Sequence, residues 1–364
     1  MPLTIEGDRV PAFWAERARS WGNRDENAHE DSIRIALINN MPDPALEDTE
    51  LQFFELLDSA AGDVSVRVTL YSLPGVARRE RGQERLRELY CGMDDLWNSH
   101  ADAVIMTGTE PHRPDLQEEP YWGMLTQVLD WAAENTGSVI LSCLAAHAGV
   151  LYFDGITRHT LSDKRFGIFD SGRVCDHVLT NRVTGRIKFP HSRWNEVREE
   201  DLIPAGYVIL TKSAQAGVDL FAKRKRRSLF VYVQGHPEYG AQTLLKEYRR
   251  DVRRFLDRER DTYPLMPEGY FDAAAVKLLA EFKENALTDR RKDRIDSFPQ
   301  AAVGATLRRT WHSSARRVYR NWLNYVRSIK AEAPRFTAVS RSIETAGATE
   351  DGPPSRRDEV NALL

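Results

Sequence analysis

Apolar positions along the chain follow two alternating rhythms. Short, nearly unbroken runs occur at Ile33-Arg-Ile-Ala-Leu-Ile38, Ala103-Val-Ile-Met-Thr107 and Ser138-Val-Ile-Leu-Ser-Cys143, and Val64-Ser-Val-Arg-Val-Thr-Leu70 alternates. These are the patterns of buried strands. Between them apolar residues recur at helical spacing. Leu51, Phe54 and Leu57 predict a helix over 45–57, and Met124, Leu125, Val128, Leu129 and Ala132 predict another over 121–134. A short polar helix fits 84–90. Strands alternating with helices predict an α/β domain built on a mostly parallel sheet flanked by helices.

The later chain reads less regularly. Residues 153–200 look like polar loops, carrying Lys164-Arg165 and His191-Ser192-Arg193. Three more strands are expected at 207–211, 218–222 and 228–233, with Lys223-Arg-Lys-Arg-Arg227 as a solvated turn between the last two. Leu244, Tyr248, Val252 and Phe255 predict a helix to about 256. Phe271, Val276, Leu279 and Phe282 mark a second, and Val318, Trp322, Leu323 and Val326 mark one over 311–329. The run 289–294 is expected as a loop. Residues 1–31 read as an irregular arm laid on a domain spanning 32–330, with an extra helical segment at about 257–310. The Pro-, Ser- and charge-rich stretch 331–364 reads as disordered.

Composition narrows the class. Of 364 residues 41% are hydrophobic and 9% aromatic, and the net charge is −3. That balance suits a globular protein and points to neither a nucleic-acid nor a membrane partner. Cys91, Cys143 and Cys175 fit neither a disulfide framework nor a metal site, so a reduced, cytoplasmic setting without a metal is expected.

Two stretches carry chemistry. In Ser142-Cys143-Leu-Ala-Ala-His147 a strand ends at a cysteine and small residues open a helix. Such a corner exposes the thiol at a helix N-terminus, where amide dipoles favour the thiolate and the Leu144 N–H can receive an oxyanion. In His236-Pro-Glu238 another strand end delivers a base and a carboxylate able to orient it. Each alone also fits a structural residue at a strand end. Paired in one α/β domain, they make a Cys143–His236–Glu238 acyl-transfer triad the leading reading. His147 reads as a packing or capping residue.

The chain resembles the homoserine O-acyltransferases related to class I glutamine amidotransferases, often named homoserine O-succinyltransferases. The matching stretches are Asn39-Asn-Met-Pro42, Thr49-Glu50-x-Gln52-Phe53, Thr107-Gly108, Tyr121-Trp122 and the cysteine corner. Further along come Pro190-His-Ser-Arg193, Gly235-His-Pro-Glu-Tyr239, Glu247-Tyr-x-Arg-Asp251 and Asn321-Trp-Leu-Asn-Tyr325. The resemblance implies a flavodoxin-like fold of the class I glutamine amidotransferase type. It also implies a cytoplasmic homodimer of methionine biosynthesis, with no cofactor beyond acyl-CoA as co-substrate. Cys143 would carry the acyl group, His236 would act as base and Glu238 would orient it. Lys164, Ser192, Arg193 and Arg250 would contact the acceptor, L-homoserine.

Three departures stand out. The family's lysine after Met-Pro is replaced by Ala45 or Leu46. His112 occupies the position where the family has glycine with succinyl-CoA and glutamate with acetyl-CoA; a succinyl donor is favoured over acetyl. Residues about 265–305 and the tail exceed the usual length. Open alternatives are the same chemistry on L-serine, a glutamine amidotransferase-like hydrolase, and a non-catalytic relative that binds an amino acid.

Overall fold

A computed structural model describes residues 3–5, 32–183 and 185–332. In chain order, β1 (Leu3–Ile5), β2 (Ile33–Ile38), α1 (Asp43–Ala61), β3 (Val66–Tyr71), α2 (Glu80–Leu89) and α3 (Met93–Trp97) come first. There follow β4 (Ala103–Met106), α4 (Trp122–Asn135), β5 (Ser138–Ser142), α5 (Leu144–Asp154), β6 (His159–Arg173) and β7 (Ile187–Glu196). Then come α6 (Glu199–Leu202), β8 (Val208–Ser213), β9 (Gly217–Lys225), β10 (Ser228–Val233) and α7 (Thr243–Leu256). The last three helices are α8 (Ala273–Thr288), α9 (Gln300–Thr306) and α10 (His312–Glu332).

The strands form one sheet in the order β1-β3-β2-β4-β5-β10-β9-β8-β6-β7. From β1 to β10 every pairing is parallel; from β10 to β7 every pairing is antiparallel. The parallel half is the expected one, and it is covered on both faces. Phe53, Phe54 and Leu57 of α1 join Val318, Trp322 and Leu323 of α10 in one core. Leu125 and Val128 of α4 join Ala145 and Ala148 of α5 in the other. Local chemistry fixes the helix ends. Pro44 sits in the first turn of α1, where its missing N–H costs nothing. Gly155 closes α5 in the left-handed conformation, donating to Leu151 O at 3.0 Å.

Three expectations are corrected. Residues 153–200 are not mainly loops: β6 and β7 form a long antiparallel hairpin, so Lys164, Arg165, Ser192 and Arg193 all stand on strands. The basic run is not simply solvated, because Lys223 and Lys225 both bridge to Asp154, at 2.7 and 2.8 Å. Leu3–Ile5, expected within an irregular arm, pairs in parallel with β3. The remainder of that arm, and the tail beyond residue 332, lie outside the described residues.

The extra segment builds a third core. Tyr270, Leu279, Phe282, Val303 and Trp311 pack on Leu244, Tyr248, Val252 and Phe255 of α7. It also reaches the sheet: Glu268 N–H donates to Phe166 O at 2.9 Å, and Ile168 N–H donates to Glu268 O at 2.8 Å. A side chain on Gly167, at φ +148, would collide with the Glu268 backbone.

His147 is a packed residue, 3% exposed, with Nε2 3.0 Å from Gln234 Oε1. Burial lowers its pKa to about 3, so the folded protein holds it neutral. As pH falls below the usual histidine value the unfolded chain gains a proton that the folded one refuses, and stability drops. Buried Asp219, raised to about 6 by burial, works in the opposite sense, so a difference measurement isolates His147. The stability advantage of wild type over His147→Gln should shrink by on the order of 1.4 kcal/mol per pH unit as pH falls from about 6.5 towards 5. Urea unfolding at several pH values checks this; a pH-independent difference rejects it.

Candidate active site

Strand register creates the site. β5 and β10 are parallel neighbours, with Ser142 opposite Val233. The residues that follow each strand therefore leave the sheet side by side, at the carboxyl edge where open α/β sheets bind ligands. Cys143 N–H donates to Val233 O at 2.7 Å, extending the ladder by one bond. The chain then turns sharply: Cys143 has φ 52° and ψ −112°, and Leu144 begins α5. A non-glycine residue in that conformation stores about 1–3 kcal/mol of strain, held here by the sheet on one side and the helix on the other.

After β10 the chain delivers His236 and Glu238. His236 Nδ1 lies 2.8 Å from Glu238 Oε1, and both residues are buried. The ring stacks on Tyr239 with centroids 4.1 Å apart and planes at 16°. Burial alone would discharge the imidazole. The charges of Cys143 and Glu238, and hydrogen bonds to both, override it and hold His236 well above the ordinary histidine range. The structure thus brings Cys143, His236 and Glu238 into one connected group.

Neighbouring elements hold this loop from behind. His236 N–H donates to Pro190 O of β7 at 2.7 Å. Arg309 Nη2 donates to Glu238 O and Trp311 Nε1 to Tyr239 O, each at 3.0 Å. Tyr319, from α10, is buried, and after burial the charge of Glu238 is what raises its pKa.

Lys164, Ser192 and Arg250 are also brought together, through two acids of α7. Lys164 Nζ lies 2.9 Å from Asp251 Oδ2 and 3.5 Å from Glu247 Oε2. Ser192 Oγ donates to Glu247 Oε2, and Tyr239 Oη donates to Glu247 Oε1 at 2.6 Å. Arg250 reaches Glu247 at 3.6 Å and Asp251 at 3.4 Å, with its side chain 48% exposed. Burial opposes ionisation of Glu247, but Lys164, Arg250 and the two hydroxyls keep it below the usual carboxylate range. Because Tyr239 also stacks on His236, the cluster adjoins the Cys143 group. Glu247 and Asp251 were not singled out as site residues from sequence; their one-turn spacing beside Arg250 was the available signal.

Arg193 is placed differently. It is 4% exposed and donates to Asn195 O at 2.8 Å, Ala216 O at 2.5 Å and His191 Nδ1 at 3.3 Å. These bonds tie β7 to the turn before β9 rather than adding to the Lys164–Arg250 cluster.

The loop after β4 completes the rim. His112 is exposed and lines a cavity of about 240 Å³ with Arg113, Glu119 and Tyr121. Gly108 backs the N-terminus of α5: a methyl group there would stand 2.6 Å from Leu144 Cβ and 2.9 Å from its nitrogen. Leu144 N–H is in the first helical turn, one of the amides without an intrahelical acceptor. Ala45 and Leu46 lie in the first turns of α1, where Leu46 O accepts from Asn39 Nδ2 at 3.0 Å; neither side chain can donate a hydrogen bond.

A family model described as homoserine O-succinyltransferase matches residues 15–332. A homoserine O-succinyltransferase of Rhodopseudomonas palustris is 42% identical over 299 residues, covering 82% of this chain and 90% of its own. That of Bradyrhizobium japonicum is 39% identical over 336 residues, covering 90% and 99%. Among solved structures, a glutamine amidotransferase from Thermotoga maritima covers 81% of this chain and 98% of its own, with a TM-score of 0.43 and 12% identity.

The strained corner generates a stability prediction. Cys143→Gly should be more stable than Cys143→Ala by about 1 kcal/mol, because only glycine adopts that backbone without strain. Thermal or urea unfolding of the two variants checks this; equal stability would mean that the corner holds no strain.

Proposed function

The chain belongs to the homoserine O-succinyltransferase family, and from that premise we propose that it transfers a succinyl group from succinyl-CoA to the hydroxyl of L-homoserine through a cysteinyl acyl-enzyme. The observation that carries this reading is the linked group Cys143–His236–Glu238 beside an acid–base cluster suited to an amino acid.

The charges of Cys143 and Glu238 hold His236 well above the ordinary histidine range, so the imidazolium is the proton donor of the first half-reaction. In the first half-reaction the Cys143 thiolate attacks the thioester carbonyl carbon. The developing oxyanion lies at the helix N-terminus, with Leu144 N–H as donor. The carbon–sulfur bond to CoA breaks, and His236 gives its proton to the departing thiolate. In the second, neutral His236 takes the hydroxyl proton of the acceptor as its oxygen attacks the acyl carbon. Cys143 leaves as thiolate, and the imidazolium is restored. Glu238 keeps Nδ1 of the imidazole engaged throughout, leaving the other nitrogen for proton transfer.

The acceptor's charges match the neighbouring cluster. Arg250 offers a half-exposed guanidinium to an α-carboxylate, and Glu247 offers a carboxylate to an α-ammonium. The product, an O-acyl ester of a hydroxy amino acid, fits a place in methionine biosynthesis.

Incubation with succinyl-CoA should add one succinyl mass to the wild type by intact-protein mass spectrometry, located on Cys143 and absent from Cys143→Ala. Added homoserine should discharge the adduct faster than serine does. His236→Asn should slow turnover about 10²–10⁴-fold. Absence of any acyl adduct with either succinyl-CoA or acetyl-CoA would reject the cysteinyl mechanism.

A further inference from the structure

Two buried titratable groups take no part in the acyl-transfer steps. Asp219 on β9 and His191 on β7 are both 0% exposed, and His191 Nε2 lies 3.4 Å from Asp219 Oδ1. Among the described residues no lysine or arginine nitrogen comes within ion-pair distance of Asp219. Burying a carboxylate without a cationic partner is costly, so its position calls for a reason.

The protonation state of His191 follows from its neighbours. Arg193 Nε donates to His191 Nδ1 at 3.3 Å. A guanidinium has no acceptor, so Nδ1 carries no proton and the ring's one hydrogen sits on Nε2, the nitrogen beside Asp219. Burial holds His191 well below the ordinary histidine range, in keeping with a neutral ring. Ser171 Oγ reaches the other carboxylate oxygen of Asp219 at 3.5 Å. Arg193, His191 and Ser171 thus hold that carboxylate in one orientation.

What the carboxylate holds in turn is the entrance to the His236 loop. β9 pairs with β10 so that Leu220 lies opposite Val233, the last residue of its strand. Beyond it three successive amides are each taken by a fixed acceptor. Gln234 N–H donates to Asp219 O at 2.9 Å, Gly235 N–H to Asp219 Oδ1 at 3.2 Å, and His236 N–H to Pro190 O at 2.7 Å. Asp219 therefore continues the ladder past the strand end, its side chain standing in for one more backbone carbonyl. Gly235 permits the approach. A methyl group there would stand 3.0 Å from Asp219 Oδ1, His191 Nε2 and Pro190 O alike. A hydrogen bond to a charged acceptor is about twice as strong as a neutral one, which suits a loop that must hold a base against a thiol.

Resting on the acyl-transfer reading above, we propose that Asp219 is a positioning residue for His236, with His191 as its orienting partner. It touches neither substrate nor the reacting atoms. By fixing the backbone just ahead of His236 it sets where the imidazole meets the Cys143 sulfur. It therefore acts in both half-reactions, wherever His236 gives or takes a proton.

The test is a double-mutant cycle. Asp219→Ala should lower kcat and the rate of Cys143 acylation about 10- to 100-fold, the range for losing a hydrogen bond to a charged group. KM for the acyl-CoA and for homoserine should change less than about 2-fold. Asp219→Asn, which keeps an acceptor oxygen for Gly235 N–H, should recover part of the loss. In a His236→Asn background the Asp219→Ala change should alter the acylation rate less than about 2-fold, because the imidazole it positions is already gone. Gly235→Ala presses on the same bond with Asp219 intact and should show the same pattern, so it serves if Asp219→Ala fails to fold; melting temperatures identify that failure. Equal losses in the two backgrounds, a change confined to KM, or full activity in a folded Asp219→Ala variant each overturns the positioning role while the acyl-transfer reading stands. A wild type that forms no acyl-enzyme with succinyl-CoA or acetyl-CoA removes that reading, and the positioning role with it.

Discussion

The hydrogen bond from Cys143 N–H to Val233 O is the constraint on which the site depends. It is the last rung of a parallel ladder whose register sets Ser142 opposite Val233. A shift of one residue in that register would turn every side chain of the strand to the other face. Here both strands are buried along their whole length, Val139, Ile140 and Leu141 against Phe230, Val231 and Tyr232. The apolar cores on both faces therefore lock the register, and the register lays Cys143 beside the loop that bears His236. What remains local is the corner itself, where a thiol occupies a backbone conformation that ordinary residues avoid. The sheet supplies the fixed edge, and the amides of α5 supply the positive end of a helix.

The opposing partner is held by a different part of the chain. His236 belongs to a short loop with little internal structure, so its position must come from outside. Pro190 receives its amide, Tyr239 lies under its ring, and Arg309 and Trp311 clasp the carbonyls of Glu238 and Tyr239. Tyr270 Oη donates to Ala241 O and accepts from Leu245 N–H at the start of α7. The segment between α7 and α10 is thus part of the active-site frame. It forms a core with α7 and presses Glu268 against Gly167, on the strand that carries Lys164.

Sequence reading succeeded where burial is continuous. β4, β5 and β10 are unbroken apolar runs and β2 nearly so because both faces are covered, and β2 was placed to the residue. It failed at β6 and β7, whose residues alternate irregularly between exposed and buried. Lys164 and Arg193 break any apolar rhythm because their partners are charged or backbone groups supplied from elsewhere. The same cause hid Leu3–Ile5, which is only three residues long and pairs with a strand some sixty positions away. Cys143, His236 and Glu238 were readable because each sits at or next to a strand end. Glu247 and Asp251 needed the hairpin, since their role depends on Lys164 and Ser192 arriving from β6 and β7.

Arg193 and Arg158 show how little residue type reveals about role. Both are arginines whose charge is felt together with that of Cys143. Arg193 satisfies its guanidinium on Asn195 and Ala216 carbonyls, so its charge is buried in service of strand placement. Arg158 makes one long bond among the described residues, to Pro114 O at 3.3 Å, and keeps donors open. A planar cation with five donors is strongly directional, so what separates a framework arginine from a recognition arginine is how many of those donors the fold has already used.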